Sequence, residues 1–147
     1  MREEIYERVK ERIETALEGR VSHVGLWNQN VVFAEDDEPW GRPAVFVEFG
    51  PMRWQQLAGP QLTVVTRAQL LLHVVTDWSD DVASGGTGCF GLLNALHGAL
   101  HGLRGTSFGP LKLLESHTNH NHEDLVENIE IYEYRGERSL PVEHAGE

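Results

Sequence analysis

The stretch LTVVTRAQLLLHVVTD, residues 62–77, constrains the fold more than any other part of the chain. It is long, apolar and rich in β-branched residues, a composition that predicts a single β-strand. At ~3.3 Å per residue this strand would extend on the order of 50 Å. The core of a small domain is shorter than that, so we expect the outer part of the strand to pair or pack with something beyond the core.

Other segments predict a helix and further strands around the long strand. Residues 3–18 carry apolar side chains at helical spacing, with glutamates at the start and Gly19 at the end, which predicts a helix. AVFVEF, residues 44–49, is apolar on both faces, as expected of a central strand. The remaining strands are predicted at 21–28, 52–57, 111–117 and 125–137, with an acidic loop at 34–43 and a hairpin turn at 58–61.

A second helix is predicted at residues 88–103. At about 100° per residue its leucines form one face, and its small residues form a second stripe roughly 120° away. The small residues are Gly88, Gly91, Ala95, Gly98 and Gly102. Each glycine inside a helix costs about 1 kcal/mol relative to alanine. We therefore expect another element to approach this stripe closely, either from the same chain or from a neighbouring subunit.

The order of these elements, α-β-β-β-β-α-β-β, predicts an α+β fold. Hairpin-linked strands between helices indicate a mixed or antiparallel sheet of about five strands with two helices packed on one face. The chain length corresponds to one domain. We place that domain at residues 1–138 and predict that residues 139–147 form a disordered tail.

The charge balance excludes some classes of partner. Twenty-three acidic against twelve basic residues give a formal net charge of −11, which repels phosphate backbones and predicts no sequence-specific nucleic-acid binding. No apolar run approaches the roughly 18–20 residues of a membrane span, and MREEIYERVKERIE lacks the apolar core of a secretion signal. The single cysteine, Cys89, fits a reducing compartment and a packing role. We expect a cytoplasmic protein without a membrane partner.

The segment ESHTNHNHEDL, residues 115–125, is the strongest candidate for a metal centre. His117, His120 and His122 could supply imidazole ligands, since zinc takes three or four converging donors. The alternative is a polar bend between two strands, because threonine, asparagine and aspartate are typical of solvated turns. We favour the bend and predict no metal and no cofactor, and keep a metal-binding or metal-dependent function as the alternative.

No other pattern favours catalysis. His97 and His101 have helical spacing, but no glutamate gives them the HExxH arrangement, and we expect both on a solvated face. His73 lies inside the long strand and is interpreted as a hydrogen-bonded sheet histidine. Paired carboxylates occur in loops, where they are not buried enough for general acid–base work. We predict that the protein is not an enzyme.

Tryptophans and the small-residue stripe are the candidate interface residues. Trp40 stands in the polar sequence DDEPWGRP, and Trp54 in a hairpin strand. A tryptophan in such a place either covers a core or anchors an interface. The candidate subunit or partner contacts are Trp40, Trp54, Gly91, Ala95, Gly98 and Gly102.

Taken together, the segments resemble the tail-terminator or tail-completion proteins of phages and prophages, with the head–tail joining proteins as neighbours. The resemblance spans roughly residues 3–136 and rests on VGLWN, RPAVFVEF, LLLHVVTD, GLLNALHGALHGL and ENIEIYEYR in this order.

The resemblance implies a non-enzymatic virion assembly protein, with no catalytic residues to transfer. It implies a homo-oligomeric ring, typically a hexamer, that contacts the tail tube and the head connector. Such a protein would be cytoplasmic during assembly and then part of the virion tail. A ring forms from head-to-tail contacts whose rotation closes. We expect residues 62–77 and 88–103 to form that contact and the loop 34–43 to order on a partner. A monomeric adaptor is the remaining alternative.

Overall fold

The structure, a computed structural model, describes residues 1–28, 40–59, 62–77, 89–119 and 125–140. Two helices and six strands lie in these ranges. In chain order they are α1 (Arg2–Ala16), β1 (His23–Leu26), β2 (Ala44–Phe49), β3 (Gln55–Gln56), β4 (Thr63–Asp77), α2 (Cys89–Leu100), β5 (Lys112–Asn119) and β6 (Leu125–Ser139). The predicted α+β class is confirmed.

The strands form one mixed sheet in the order β1-β2-β4-β6-β5, with β3 added beside β4. Strand β1 pairs in parallel with β2, and the other neighbours are antiparallel. The predicted long strand is confirmed as β4, which pairs with β6 along its whole length, from Thr63 opposite Ser139 to Asp77 opposite Leu125. Strands β4 and β6 thus form the longest strand pair of the sheet.

Both helices pack on the same face of the sheet and enclose the main core. Alternate residues of β4, represented by Leu70, Leu72 and Val74, point to this face and are fully buried. Helix α1 contributes Ile5, Val9 and Ile13, and α2 contributes Leu92, Leu93, Leu96 and Leu100. The apolar spacing seen in the sequence therefore identifies the buried side of each helix correctly. Neither helix of the described residues is long and apolar enough to cross a membrane.

Strand β3, with two residues, is shorter than the predicted segment 52–57. Strand β2 already occupies the inner part of β4, ending where Phe49 lies opposite Leu70. The chain then leaves the sheet and pairs with β4 again only at Val64 and Val65, through Gln56 and Gln55.

The first turn of α1 is held by the loop that follows α2. The carboxylate of Glu4 accepts hydrogen bonds from the hydroxyl and the backbone N–H of Thr106, at 2.7 and 3.2 Å, and from those of Ser107, at 2.7 and 2.8 Å. Hydrogen bonds to the charged form stabilise it. They lower the pKa of Glu4 from 4.5 to about 2, the Ser107 hydroxyl making the largest contribution.

Candidate functional site

The outer part of the long strand forms one end of the sheet, which we call the distal sheet end. It comprises residues 53–57, 62–65 and 137–140. At this end β4 is flanked by β3 on one side and by β6 on the other, with Gln56, Val64 and Arg138 side by side. The backbone pairing continues beyond the strands, because Leu57 N–H donates to the Thr63 carbonyl and Leu140 N–H to the Leu62 carbonyl. The end is thus ordered although it projects past the β2 pairing.

Three large apolar side chains are exposed at the distal sheet end. Trp54 and Leu57 are each 37% exposed, and Leu140 is 38% exposed. The guanidinium carbon of Arg138 lies 5.9 Å from the centre of the Trp54 ring, within range of a cation–π contact. Clusters of exposed apolar residues rimmed by polar ones are typical of protein contact surfaces.

The arginines of this region differ in their partners. Arg67 lies 3.0 Å from Glu133, and Arg135 lies 3.3 Å from Glu137. Arg53 is exposed, and neither it nor Arg138 has a carboxylate within ion-pair distance in the described part of the chain. The distal sheet end therefore combines exposed apolar surface with positive charge that is not locally neutralised.

The second predicted interface tryptophan, Trp40, lies elsewhere. It is half-buried on the face of the sheet opposite the helices, and its ring meets the Phe46 ring edge-on at a centroid distance of 5.0 Å. Together with Trp27 it covers a small apolar cluster that includes Val75 and Leu125. Within one chain Trp40 is thus a cover for this cluster, and its role as an interface anchor stays a prediction.

One imidazole lies between two carboxylates on the same helix-free face, and of these two carboxylates only that of Glu127 is buried. Nδ1 of His73 lies 2.7 Å from Glu127, and Nε2 lies 2.7 Å from Glu48. His73 and Glu127 are each 4% exposed. The indole of Trp27 stacks on the imidazole with ring centroids 3.7 Å apart. The interpretation of His73 as a hydrogen-bonded sheet histidine is confirmed.

The two short contacts of this triad, His73 with Glu48 and Glu127, determine how many protons it holds. A neutral imidazole carries one N–H, and an ionised carboxylate only accepts. Two short contacts therefore need either an imidazolium between two carboxylates, or a neutral ring and one protonated carboxyl. In both cases each ring nitrogen of His73 is hydrogen-bonded to a carboxyl group. The triad links β2, β4 and β6.

The small residues of the stripe on α2 differ in their surroundings. Apart from its chain neighbours and the backbone of its own helix, no described atom lies within 4 Å of the position a Cβ would take on Gly98, so no other element is a close neighbour there. Gly102 follows the helix with φ +85° and donates its N–H to the Leu111 carbonyl, so its conformation, not packing, requires glycine. Gly91 is half-buried, and Ala95 packs partly against the main core. The use of the stripe by a second subunit stays a prediction.

The predicted solvated position of His97 is wrong. Its Nε2 lies 3.2 Å from Oε2 of Glu130, at ion-pair distance but outside hydrogen-bond geometry, and its side chain is 26% exposed. Glu130 is 2% exposed and accepts a hydrogen bond from Ser116. Because this carboxylate points to the helix side of β6, the histidine turns toward it. His101 is exposed, as predicted, and its Nδ1 accepts the Leu113 N–H at 3.3 Å.

The histidine-rich segment is only partly described. His117 is exposed on β5 and lies 3.3 Å from Glu115 on the same strand. His120 and His122 lie outside the described residues, as does most of the loop 34–43. Within the described ranges no group of three or more His, Cys, Asp or Glu side chains is arranged to hold a metal ion. Cys89 is half-buried at the start of α2 and accepts contacts from Thr76 and Asn128, at 3.7 and 3.5 Å.

Comparison with known proteins gives a likeness of fold. No protein-family model matches the chain, and no curated protein matches its sequence. A chain of the solved structure titled "Virion of native gene transfer agent (GTA) particle" shares the fold with a TM-score of 0.55 and 14% sequence identity. The similarity covers 90% of this chain and 94% of that chain. The whole domain is therefore similar to one component of that particle.

Of the residues at the distal sheet end, the sequence pattern singles out Trp54 alone. Leu57 falls in the predicted strand 52–57, and Arg138 and Leu140 lie beyond the predicted strand 125–137. The length of the long strand was the signal that could have revealed Arg138 and Leu140. A strand that pairs with all of residues 62–77 must be equally long, and so must extend beyond residue 137. Glu48 and Glu127 were also missed, because a strand glutamate looks the same in sequence whether it is buried or solvated.

Proposed function

We propose that this protein is a non-enzymatic structural subunit of a phage or prophage particle, a tail terminator or tail-completion protein, or a head–tail joining protein. In this role it assembles into a closed ring. The resemblance drawn from the sequence implies six copies in that ring. Its partners are copies of itself, the tail tube and the head connector. Its place is the cytoplasm during assembly and the tail of the finished particle.

The observation that carries the proposal is the shared fold with a chain of the gene transfer agent virion. That likeness extends over nearly the full length of both chains, with a TM-score of 0.55. It is a likeness of architecture, and it agrees with the resemblance drawn independently from the order and character of the sequence segments. The shared fold and the sequence resemblance thus support the same class of particle.

The surface supports a role in assembly. The distal sheet end exposes Trp54, Leu57 and Leu140, and Gly98 leaves open space along α2. A ring subunit needs two different surfaces that fit each other, because its contacts are head-to-tail. The net charge of −11 would let DNA pass through such a ring without being held.

The particle role is tested by deleting the gene from the genome that carries it and examining induced lysates by negative-stain electron microscopy. We expect tails without attached heads, or tubes of irregular length, and rescue by the wild-type gene in trans. Normal particles after a verified deletion would exclude the role.

Self-assembly is tested on the purified full-length chain. Native mass spectrometry at tens of micromolar subunit concentration is expected to show a closed oligomer, and electron microscopy is expected to show rings. A monomer under these conditions would contradict ring formation in solution, while the deletion phenotype would still decide the particle role.

A further inference from the structure

The distal sheet end has the properties of one half of a contact. Trp54, Leu57 and Leu140 expose apolar surface, and Arg53 and Arg138 add positive charge. Neither arginine meets a carboxylate within the described ranges, while Arg138 lies over the Trp54 ring. In a chain of net charge −11 such a basic, apolar surface is an exception.

The outer face of α1 has the complementary properties. A shallow surface groove runs along it, lined by Met1, Glu3, Glu4, Glu7, Arg8 and Glu11. Glu7 and Glu11 are exposed one helical turn apart and have no basic partner among the described residues. Like charges at this spacing are unfavourable on an isolated helix, so a positively charged occupant of the groove would stabilise it.

We propose that the distal sheet end of one copy docks into the α1 groove of a second copy, with Arg53 and Arg138 facing Glu7 and Glu11. This inference rests on the proposed ring assembly and names its two surfaces. The two surfaces lie on different elements of the same chain, so a contact between them can be made head-to-tail and repeat around a ring. The apolar residues exclude water at the centre, and the charges at the rim set the orientation.

A second copy fits the observations better than nucleic acid does. Two arginines beside one tryptophan could also contact a phosphate backbone. However, the net charge of −11 repels a polyanion at long range. The α1 groove of another copy offers two carboxylates and presents no such repulsion at the contact.

The test uses two charge-reversed forms of the full-length protein. The first carries Arg53→Glu and Arg138→Glu, and the second carries Glu7→Arg and Glu11→Arg. Arg53, Glu7 and Glu11 are exposed and have no ion-pair partner among the described residues. Arg138 is exposed too and contacts the Trp54 ring, so we expect both proteins to fold. Circular dichroism and the thermal midpoint verify this.

Each variant alone is expected to associate at least about tenfold more weakly than the wild type, because like charges then face each other. A one-to-one mixture is expected to recover assembly, since the altered surface of one variant fits the altered surface of the other, and their two unaltered surfaces also fit each other. Native mass spectrometry would show only even oligomers with equal numbers of the two variants. The matched control is Arg104→Glu with Lys112→Glu, two exposed sites outside the distal sheet end, which should associate like the wild type.

Several results would overturn the inference. If the wild type forms rings and both charge-reversed variants assemble equally well, the ring uses other surfaces and the proposed function stands. A monomeric wild type overturns both the docking and the ring in solution, and the gene deletion then decides the particle role separately. A third result concerns a fluorescent 20-base-pair DNA duplex. If the wild type binds this duplex, and Arg53→Glu with Arg138→Glu removes the binding without changing self-association, the distal sheet end is a nucleic-acid-binding surface.

Discussion

The link between Glu4 and the loop after α2 provides a quantitative test of how the helix layer is attached. Glu4→Gln keeps the size and shape of the side chain but removes the charge that four donors of Thr106 and Ser107 share. An amide oxygen accepts more weakly than a carboxylate, and the amide NH₂ would oppose two of the donors. We expect the variant to be less stable than the wild type.

The magnitude follows from the pKa. Lowering the Glu4 pKa from 4.5 to about 2 corresponds to about 3 kcal/mol, at about 1.4 kcal/mol for each tenfold change. Glu4 is only partly buried, so water screens the interaction, and we expect about 1–2 kcal/mol. With an unfolding entropy of about 2.1 cal/mol/K per residue over 147 residues, the variant should melt about 3–6 °C lower.

The pH dependence gives the sharper result. The folded-state pKa of Glu4 lies below its unfolded value, so its contribution is complete above about pH 4.5 and is lost as the pH falls toward about 2. The stability difference between the wild type and Glu4→Gln should therefore be constant from pH 7 to pH 5 and shrink steadily below pH 4.5.

Urea unfolding followed by circular dichroism measures this difference at each pH. Glu3→Gln is the matched control, because Glu3 is exposed in the same helical turn, and its removal should cost only a few tenths of a kcal/mol through the helix dipole. A Glu4→Gln effect that equals the control, or that does not change between pH 7 and pH 3, would refute the reasoning.

Three further substitutions test the description of the core and of α2. Gly98→Ala should raise the free energy of unfolding of the monomer by up to about 1 kcal/mol, because the site is helical and open; a loss of stability in urea would mean that a neighbour is already present. Gly102→Ala should lower stability by about 1 kcal/mol, since φ there is +85°, and an unchanged thermal midpoint would contradict that backbone conformation. Tyr132→Phe should be neutral or slightly stabilising in urea unfolding, because its buried hydroxyl has no partner in the described chain; a cost above 1 kcal/mol would reveal a hidden hydrogen bond.

The sequence alone determined the main elements and the class of fold. The apolar spacing of residues 3–18 identified α1 and its buried side, Ile5, Val9 and Ile13. The run 62–77 identified the long strand within one residue at its start. These features are local, because a helix repeats every 3.6 residues and a strand every two, and each pattern can be recognised without knowing what lies against it.

The tertiary structure decided which face of each strand is covered. In β6 the polar residues Asn128 and Glu130 are 5% and 2% exposed on the helix side, while Ile129 on the other face is only half-buried. Alternation in the sequence shows that two faces differ, and it does not show where α2 will pack. The position of His97 was mispredicted for the same reason, since its partner Glu130 is distant in sequence.

The candidate site was determined by the fold as well. Trp54 is a candidate interface residue from its sequence surroundings. That it lies near Leu57, Arg138 and Leu140 depends on the pairing of β3, β4 and β6. That pairing brings together residues more than eighty positions apart, which no local pattern encodes. The sequence thus specified an acidic α+β chain with one strand too long for its core, and the register of the sheet decided which side chains that extra length presents to a partner, because register is a property of strands in contact and not of any strand alone.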